Sequence, residues 1–119
     1  MILFRARLPG AIRGGKNHIG ITRTGKRYPL PAFVAWRKEA MPYVTGRGPM
    51  IEVPVKGTFK YVPPDRRRRD VPALLDALFH LMERGGVLKD DSLVQDIVWE
   101  TRATGLEGPG VEITLEAKV

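Results

Sequence analysis

The apolar residues between positions 71 and 82 recur every three or four places, and this spacing constrains the fold more than any other feature of the chain. The residues that follow this spacing are Val71, Leu74, Leu75, Leu78, Leu81 and Met82. They would lie along one face of a helix that ends at Gly85 and Gly86, because glycine favours helix termination. The pattern therefore predicts an amphipathic helix with one buried face.

Four other segments have the composition of β-strands, mostly with apolar and polar residues in alternation. They are residues 2–8, 50–62, 95–101 and 111–119. Pro54 has no amide hydrogen, so we expect the second strand to lie at a sheet edge or to be irregular there. Its expected inward-facing residues are Ile51, Val53, Val55, Phe59 and Tyr61. Because the segment between the last two strands is rich in glycine and proline, we expect those strands to form a hairpin.

The part of the chain between the first two of these strands is basic and rich in glycine. Residues 9–25 predict a basic loop, with a small hairpin over 19–28 that turns at Gly25. Pro31 suits the first turn of a second helix, which Pro42 would kink or end. Its core face would carry Phe33, Trp36, Ala40 and Met41. The order of elements predicts a small α+β domain over residues 1–119, with two helices and a mainly antiparallel mixed sheet of about four strands.

Charge and composition limit the possible functions. The 119 residues include 20 Lys and Arg against 13 Asp and Glu, a net charge of +7 that favours a polyanionic partner such as nucleic acid. With no cysteine and only two histidines, any metal site must be built from oxygen ligands. No apolar run is long enough to span a membrane, so we expect a soluble, cytoplasmic protein without a membrane partner.

A run of four arginines, Arg66 to Arg69, lies between Asp65 and Asp70 at the start of the predicted central helix. Lys89, Asp90 and Asp91 follow the end of that helix. Arginines attract a phosphate backbone, whereas carboxylates beside that backbone repel it unless a divalent cation lies between them. This combination is typical of a Mg²⁺-dependent nuclease.

This segment closely resembles the RusA family of Holliday junction resolvases, and the family's pattern aligns with it without a gap. The matching residues are Pro64, Asp65, Arg66, Arg67, Arg68, Arg69 and Asp70, then Gly86, Val87, Leu88, Lys89, Asp90, Asp91, Val94 and Asp96. The resemblance implies a RusA-like fold and a homodimer that cuts four-way DNA junctions with Mg²⁺. It also implies that Asp70 and Asp91 belong to the metal site. The apolar strand faces, with Trp36 or Trp99, would supply the surface shared by two subunits.

Two catalytic positions of that family are substituted in this chain. Where the family has an acid and a lysine, this sequence has Pro72 and Asp76, and Ala73 stands where it has asparagine. A carboxylate at position 76 cannot stabilise negative charge on a reacting phosphate as an ammonium group would. Asp76 could instead recruit a cation one turn further along the helix, on the same face as His80, or it could be a solvated surface residue.

The candidate catalytic residues are Asp70, Asp76, Asp90 and Asp91, and the candidate ligands of Mg²⁺, or of Mn²⁺ in its place, are Asp70, Asp90 and Asp91. The candidate DNA-binding residues are Lys16, Asn17, Arg23, Arg27, Lys60, Arg66, Arg67, Arg68, Arg69 and Lys89. Structural alternatives exist for the acids: Asp70 is a suitable helix N-cap, and Asp90 and Asp91 suit a turn. Both tryptophans are expected in the core rather than in stacking on bases.

Three functions agree with these features. The first is a structure-selective, Mg²⁺-dependent endonuclease of DNA recombination and repair, in which Lys89 or an arginine partly replaces the lost lysine. The second is a protein of the same type that binds branched DNA without cutting it. The third is a small basic protein that binds RNA or associates with the ribosome, for which the acidic pair has no role.

Overall fold

The chain folds into six strands and two helices, seen in a computed structural model that describes residues 1–13, 19–21, 23–29, 31–66, 69–101 and 108–118. The strands are β1 (Ile2–Pro9), β2 (Ile19–Ile21), β3 (Arg27–Pro29), β4 (Val55–Val62), β5 (Val94–Thr101) and β6 (Gly110–Ala117). The helices are α1 (Pro31–Ala40) and α2 (Val71–Arg84). Among the described residues, no helix is long and apolar enough to cross a membrane.

The main sheet has the strand order β1, β6, β4, β5. Strand β6 pairs antiparallel with both β1 and β4, whereas β5 runs parallel to β4. The predicted α+β class, with two helices and a mixed sheet of four strands, is therefore confirmed. The small β2–β3 hairpin is also confirmed, with Gly25 in the left-handed conformation (φ +84°) that its turn requires.

One predicted strand pairing is wrong. The glycine-rich segment before β6 suggested a hairpin with β5, but β4 lies between these two strands in the sheet. The order β4, α2, β5 makes a parallel crossover, in which the helix carries the chain back across the sheet before β5 begins. Local turn composition could not reveal this arrangement, because it depends on where α2 packs.

Strand β4 begins after Pro54, not at position 50. Proline cannot donate to the ladder, and the predicted irregularity is confirmed, although β4 is a central strand and not an edge strand. Val53 does not face the core as expected and is 49% exposed. Ile51 is buried because it forms a separate parallel bridge with Leu88, the residue that follows the α2 turn.

One hydrophobic core joins both helices to one face of the sheet. Phe59 of β4 is fully buried and contacts the rings of Phe79 in α2 and Trp99 in β5, each with a centroid distance of 6.0 Å. Trp36 of α1 is also buried, so the expectation that both tryptophans pack in or against the core is confirmed. Each fully buried side chain of this size contributes about 1.5–3 kcal/mol through loss of exposed apolar surface.

The opposite face of the sheet is polar, and its charges alternate in sign from strand to strand. Lys60 of β4 lies in register with Glu112 of β6 and Glu100 of β5, and Glu112 in turn lies opposite Arg7 of β1. Opposite charges on neighbouring strands stabilise such a face weakly.

Candidate functional site

A cleft lies between the two helices, lined by side chains that α2 presents away from the core. Asp76 and His80 are four residues apart, and His80 and Glu83 are three apart, so all three lie on one face of α2. The opposite face carries the buried residues Leu74, Leu78 and Leu81. The cleft has a volume of about 160 Å³, and Phe33 of α1 and Asp91 complete its lining together with Ala77.

The turn after α2 brings the two adjacent aspartates to the end of this cleft. The backbone N–H of Asp91 donates to Oε1 of Glu83 at 2.9 Å. The carboxylate of Asp90 accepts from the backbone N–H of Ser92 at 2.9 Å and so caps the short 3₁₀ turn Asp91–Leu93. Carboxylate oxygens of Glu83, Asp90 and Asp91 all lie within 4.8 Å of one another. We call these three residues the carboxylate group.

The pKa values of the two aspartates are shifted in opposite directions. Burial raises the pKa of Asp91 most, followed by its hydrogen bond with Asp90 and by the negative charges of Asp90 and Asp76. Hydrogen bonds from Ser92, the backbone one first, lower the pKa of Asp90. Mutual repulsion of this kind is relieved by a bound cation as well as by a proton.

His80, which lines the cleft, contacts an arginine of α1 that lies just outside the lining. Nη1 of Arg37 in α1 lies 3.2 Å from Nε2 of His80 in α2. A guanidinium group only donates hydrogen bonds, so a hydrogen bond in this pair requires Nε2 of His80 to accept. The His80 ring also packs against Phe33 at a centroid distance of 5.4 Å, and the Arg37 guanidinium lies 5.8 Å from the centre of the same Phe33 ring.

Asp70 occupies the N-cap position of α2, which is the structural role that the sequence also allowed for it. Its side chain, however, makes no capping hydrogen bond. Only its backbone carbonyl contributes, by accepting from the N–H of Leu74 at 3.1 Å. Asp70 precedes Glu83 by 13 residues, which corresponds to about 20 Å along the helix axis. The structure thus brings Asp90 and Asp91 together with Asp76 and Glu83, and places Asp70 nearer the other end of α2.

The described part of the arginine run is not uniform. Arg66 is exposed, whereas Arg69 is half-buried and pairs through Nη2 with Oδ1 of Asp65 at 2.8 Å. Arg67 and Arg68 lie outside the described residues. In the β2–β3 hairpin, Arg23 and Arg27 are both exposed, and Lys16 and Asn17 before it lie outside the described residues.

Two of the predicted DNA-binding lysines have acidic neighbours. Nζ of Lys89 lies 3.6 Å from Oε1 of Glu52, with both side chains well exposed. Lys60 lies on the polar sheet face between Glu112 and Glu100, away from the cleft. Their positive charges are therefore partly offset before any phosphate approaches.

Sequence reasoning missed two residues of this region, Glu83 and Arg37. Glu83 was detectable, because it lies on the same helix face as Asp76 and His80. Arg37 gave no such signal, since it lies on another helix, 43 residues before its partner His80.

Fold and cleft together define a small basic α+β protein with a carboxylate-lined cleft, whose oxygen donors are those that hard divalent cations prefer. No protein-family model matches the chain. Among characterised proteins, it is similar to the crossover junction endodeoxyribonuclease RusA of Aquifex aeolicus (strain VF5), with 28% identity over 75 residues. The similarity covers 61% of this chain and 60% of the length of that protein. At this identity and coverage, the similarity to RusA is distant.

Proposed function

We propose that this protein is a divalent-metal-dependent endonuclease of the Holliday junction resolvase type, which acts on branched DNA. The carboxylate group is the observation that carries the proposal, because three acids converge within a chain whose net charge is +7. The basic residues of such a protein attract the phosphates of a nucleic acid. A divalent cation can then bridge the phosphates and the carboxylates. The resemblance around the arginine run and the distant similarity to RusA support the same function.

The donor set fits Mg²⁺ or Mn²⁺, because the described acids offer only oxygen ligands. In this proposal Glu83, Asp90 and Asp91 hold the cation. Asp70, about 20 Å from Glu83 along the axis of α2, acts on the side of the arginine run and is not a ligand of the same ion. A divalent cation held there supplies Lewis acidity and offsets the negative charge of the phosphodiester. Asp76 is close enough to Asp91 to raise its pKa, so it adds negative charge to the cleft.

The protein's own residues then have separate roles. Arg66 and the exposed arginines of the β2–β3 hairpin attract the phosphate backbone, while the cleft residues orient the scissile phosphate. Asp76 stands where a cationic side chain would stabilise the charge that builds on that phosphate, so we propose that cutting is slow. Binding of branched DNA without cutting is the second candidate, favoured by the same substitution together with Pro72.

Incubation with a labelled four-way junction tests the proposal. Paired nicks that require Mg²⁺ or Mn²⁺ and disappear in EDTA would establish the nuclease. A band shift with the junction and no nicks would establish the second candidate. Equal affinity for a linear duplex or for RNA would contradict both and favour a general RNA-binding or ribosome-associated role.

We propose that the protein acts as a homodimer, because symmetric cutting of a junction needs two sites related by a twofold axis. Trp36 is only 7% exposed, so we propose that other residues supply the shared surface. Ile97 and Val98 on β5 are 45% and 44% exposed, and β5 has one neighbouring strand in the described sheet. Light scattering at micromolar concentration should give about twice the chain mass of 13.3 kDa. A mass of one chain would contradict this proposal.

A further inference from the structure

A second concave surface adjoins the cleft, at the carboxyl ends of the two helices. It is an open groove of about 540 Å³ lined by Arg37, Lys38, Met41, Pro42, Thr45 and Arg84. We call it the basic groove, because three of these residues are cationic and none is acidic. No sequence pattern singled it out, since its charges come from two helices far apart in the chain.

Arg37 forms the boundary between the basic groove and the cleft. It lines the groove, and its Nη1 atom contacts Nε2 of His80, which lines the cleft. Its contact with the Phe33 ring holds the guanidinium from a second direction. The groove and the cleft are therefore neighbours, joined by the contact between Arg37 and His80.

The local sequence builds the groove from two helix ends and a turn. Arg37 and Lys38 lie in the last turn of α1, and Arg84 lies in the last turn of α2. The chain leaves α1 through a short 3₁₀ turn that contains Pro42, and Oγ1 of Thr45 donates to the carbonyl of Met41 at 2.9 Å. This turn presents Met41 and Pro42 as the apolar part of the groove.

Two cations of the groove, Lys38 and Arg84, have no acidic partner in the part of the chain that the structure describes, and both are exposed. By contrast, Arg69 pairs with Asp65, and Lys118 pairs with Asp96 at 3.2 Å. Unpaired cations on a concave surface next to a catalytic cleft are suited to bind an anion that continues out of that cleft.

We propose that the basic groove binds the phosphate backbone of the DNA strand that passes through the cleft, on the side opposite to the arginine run. The inference rests on the proposed function and adds a second contact region to it. Arg84 lies four residues beyond His80, about 6 Å along the axis of α2. Along a duplex axis one strand advances about 3.4 Å per nucleotide, so DNA parallel to α2 would reach the groove about two nucleotides beyond His80. Recognition there would be of phosphate charge and not of base identity.

A purely structural role for the same residues predicts different behaviour. Cations in the last turn of a helix stabilise it by offsetting the negative end of its dipole. Such a role would appear in the thermal midpoint of the free protein. It would not change how DNA binding depends on salt.

Salt titrations of junction binding in EDTA separate these roles. For Lys38→Ala with Arg84→Ala, we expect the slope of log K against log salt to become shallower by about 1.8, since each lost phosphate contact removes about 0.9. The matched control is Arg5→Ala with Lys56→Ala, which removes two charges from the polar sheet face. Both variants reduce the net charge from +7 to +5, and the control should keep the parent slope.

The outcomes are distinct. A parent slope in the groove variant, even with a lower thermal midpoint, would overturn the inference and leave only the dipole role. Equal flattening in both variants would also overturn it, because the effect would follow net charge alone. If the alanine variant does not fold, Lys38→Gln with Arg84→Gln provides the same loss of charge with good helix propensity. A parent that binds no junction would overturn the proposed function itself, and with it this inference.

Discussion

The backbone N–H of Asp91 donates a hydrogen bond of 2.9 Å to Oε1 of Glu83, and this contact fixes the turn after α2 against the helix it has just left. The bond joins residues eight positions apart and brings three carboxylates within 4.8 Å. Glu83 thus has two roles in our proposal, since it positions Asp91 and also offers a ligand oxygen.

Substitution of Glu83 separates these roles. Glu83→Gln keeps an oxygen acceptor for the Asp91 amide but removes one negative charge, whereas Glu83→Ala removes both. We expect calorimetric titration with Mn²⁺ to show affinity reduced about tenfold or more in the glutamine variant, and reduced further in the alanine variant. Glu39→Gln, at an exposed position of α1, is the matched control. Unchanged Mn²⁺ binding in Glu83→Gln would show that Glu83 is not a ligand.

Asp91 should make stability depend on pH in a definite direction. Burial and neighbouring charges raise its pKa above the ordinary value of 3.8, so the folded protein favours the protonated form. Its favourable contribution is present below the unfolded pKa and is lost as the pH rises through the raised folded pKa. Because the Asp91 side chain is exposed, we expect Asp91→Asn in EDTA to raise the thermal midpoint only slightly at neutral pH, and this gain should vanish in acid. A lower midpoint at neutral pH would contradict the raised pKa.

Asp90 provides the opposite case. Hydrogen bonds from Ser92 lower its pKa, so its contribution is present above the ordinary value of 3.8 and is lost as the pH falls through the lowered pKa. We expect Asp90→Asn to reduce the thermal midpoint at neutral pH. Because the group is fully exposed, we expect the decrease to be small. A rise in the midpoint at neutral pH would show that the Ser92 hydrogen bonds do not govern its charge.

The arginine run should not contribute evenly to DNA binding. Arg66 is exposed, whereas Arg69 is tied to Asp65 at 2.8 Å and must lose that partner to contact a phosphate. We expect Arg66→Ala to flatten the salt slope of junction binding by about 0.9, and Arg69→Ala to flatten it less. Replacing all four arginines by alanine should flatten the slope most and weaken binding to every DNA shape. An unchanged slope in that quadruple variant would show that the four arginines are solvated and do not contact phosphates.

Introducing the residues that the RusA family has at positions 72 and 76 should increase cutting. Pro72 is exposed in the first turn of α2, and Asp76 lines the cleft. The change Pro72→Asp with Asp76→Lys adds a carboxylate. It also replaces a negative charge, which opposes the charge that builds on the reacting phosphate, with a positive charge that stabilises it. We expect metal-dependent junction cutting to rise about 10² or more above the parent. Asp70→Asn added to this variant should abolish the gain.

The contrary result would also be informative. If the parent cuts quickly and the double change slows it, the proposal of a weakened site is wrong. Loss of activity in Asp76→Asn alone would then identify Asp76 as a ligand in a rearranged site.

Much of the secondary structure was predictable, because it follows from the local spacing of apolar residues. Leu74, Leu78 and Leu81 occupy the buried face of α2 as their spacing predicted, and Phe59 and Tyr61 face the core from β4. Val53 was assigned wrongly, because its apolar character fits the alternation while Pro54 separates it from the ladder. Asp90 and Asp91 were recognised as candidates from their spacing, but their partner Glu83 was not.

By itself, the sequence determined the helices, most of the strands and the excess of positive charge, since these depend on composition and on residues near in the chain. Only the tertiary structure decided that β5 runs parallel beside β4, that Glu83 meets Asp91 and that Arg37 meets His80. Those contacts depend on how α1 and α2 pack on the sheet. Periodicity specifies which face of each element is buried, but many arrangements bury the same faces, and long-range packing selects one of them.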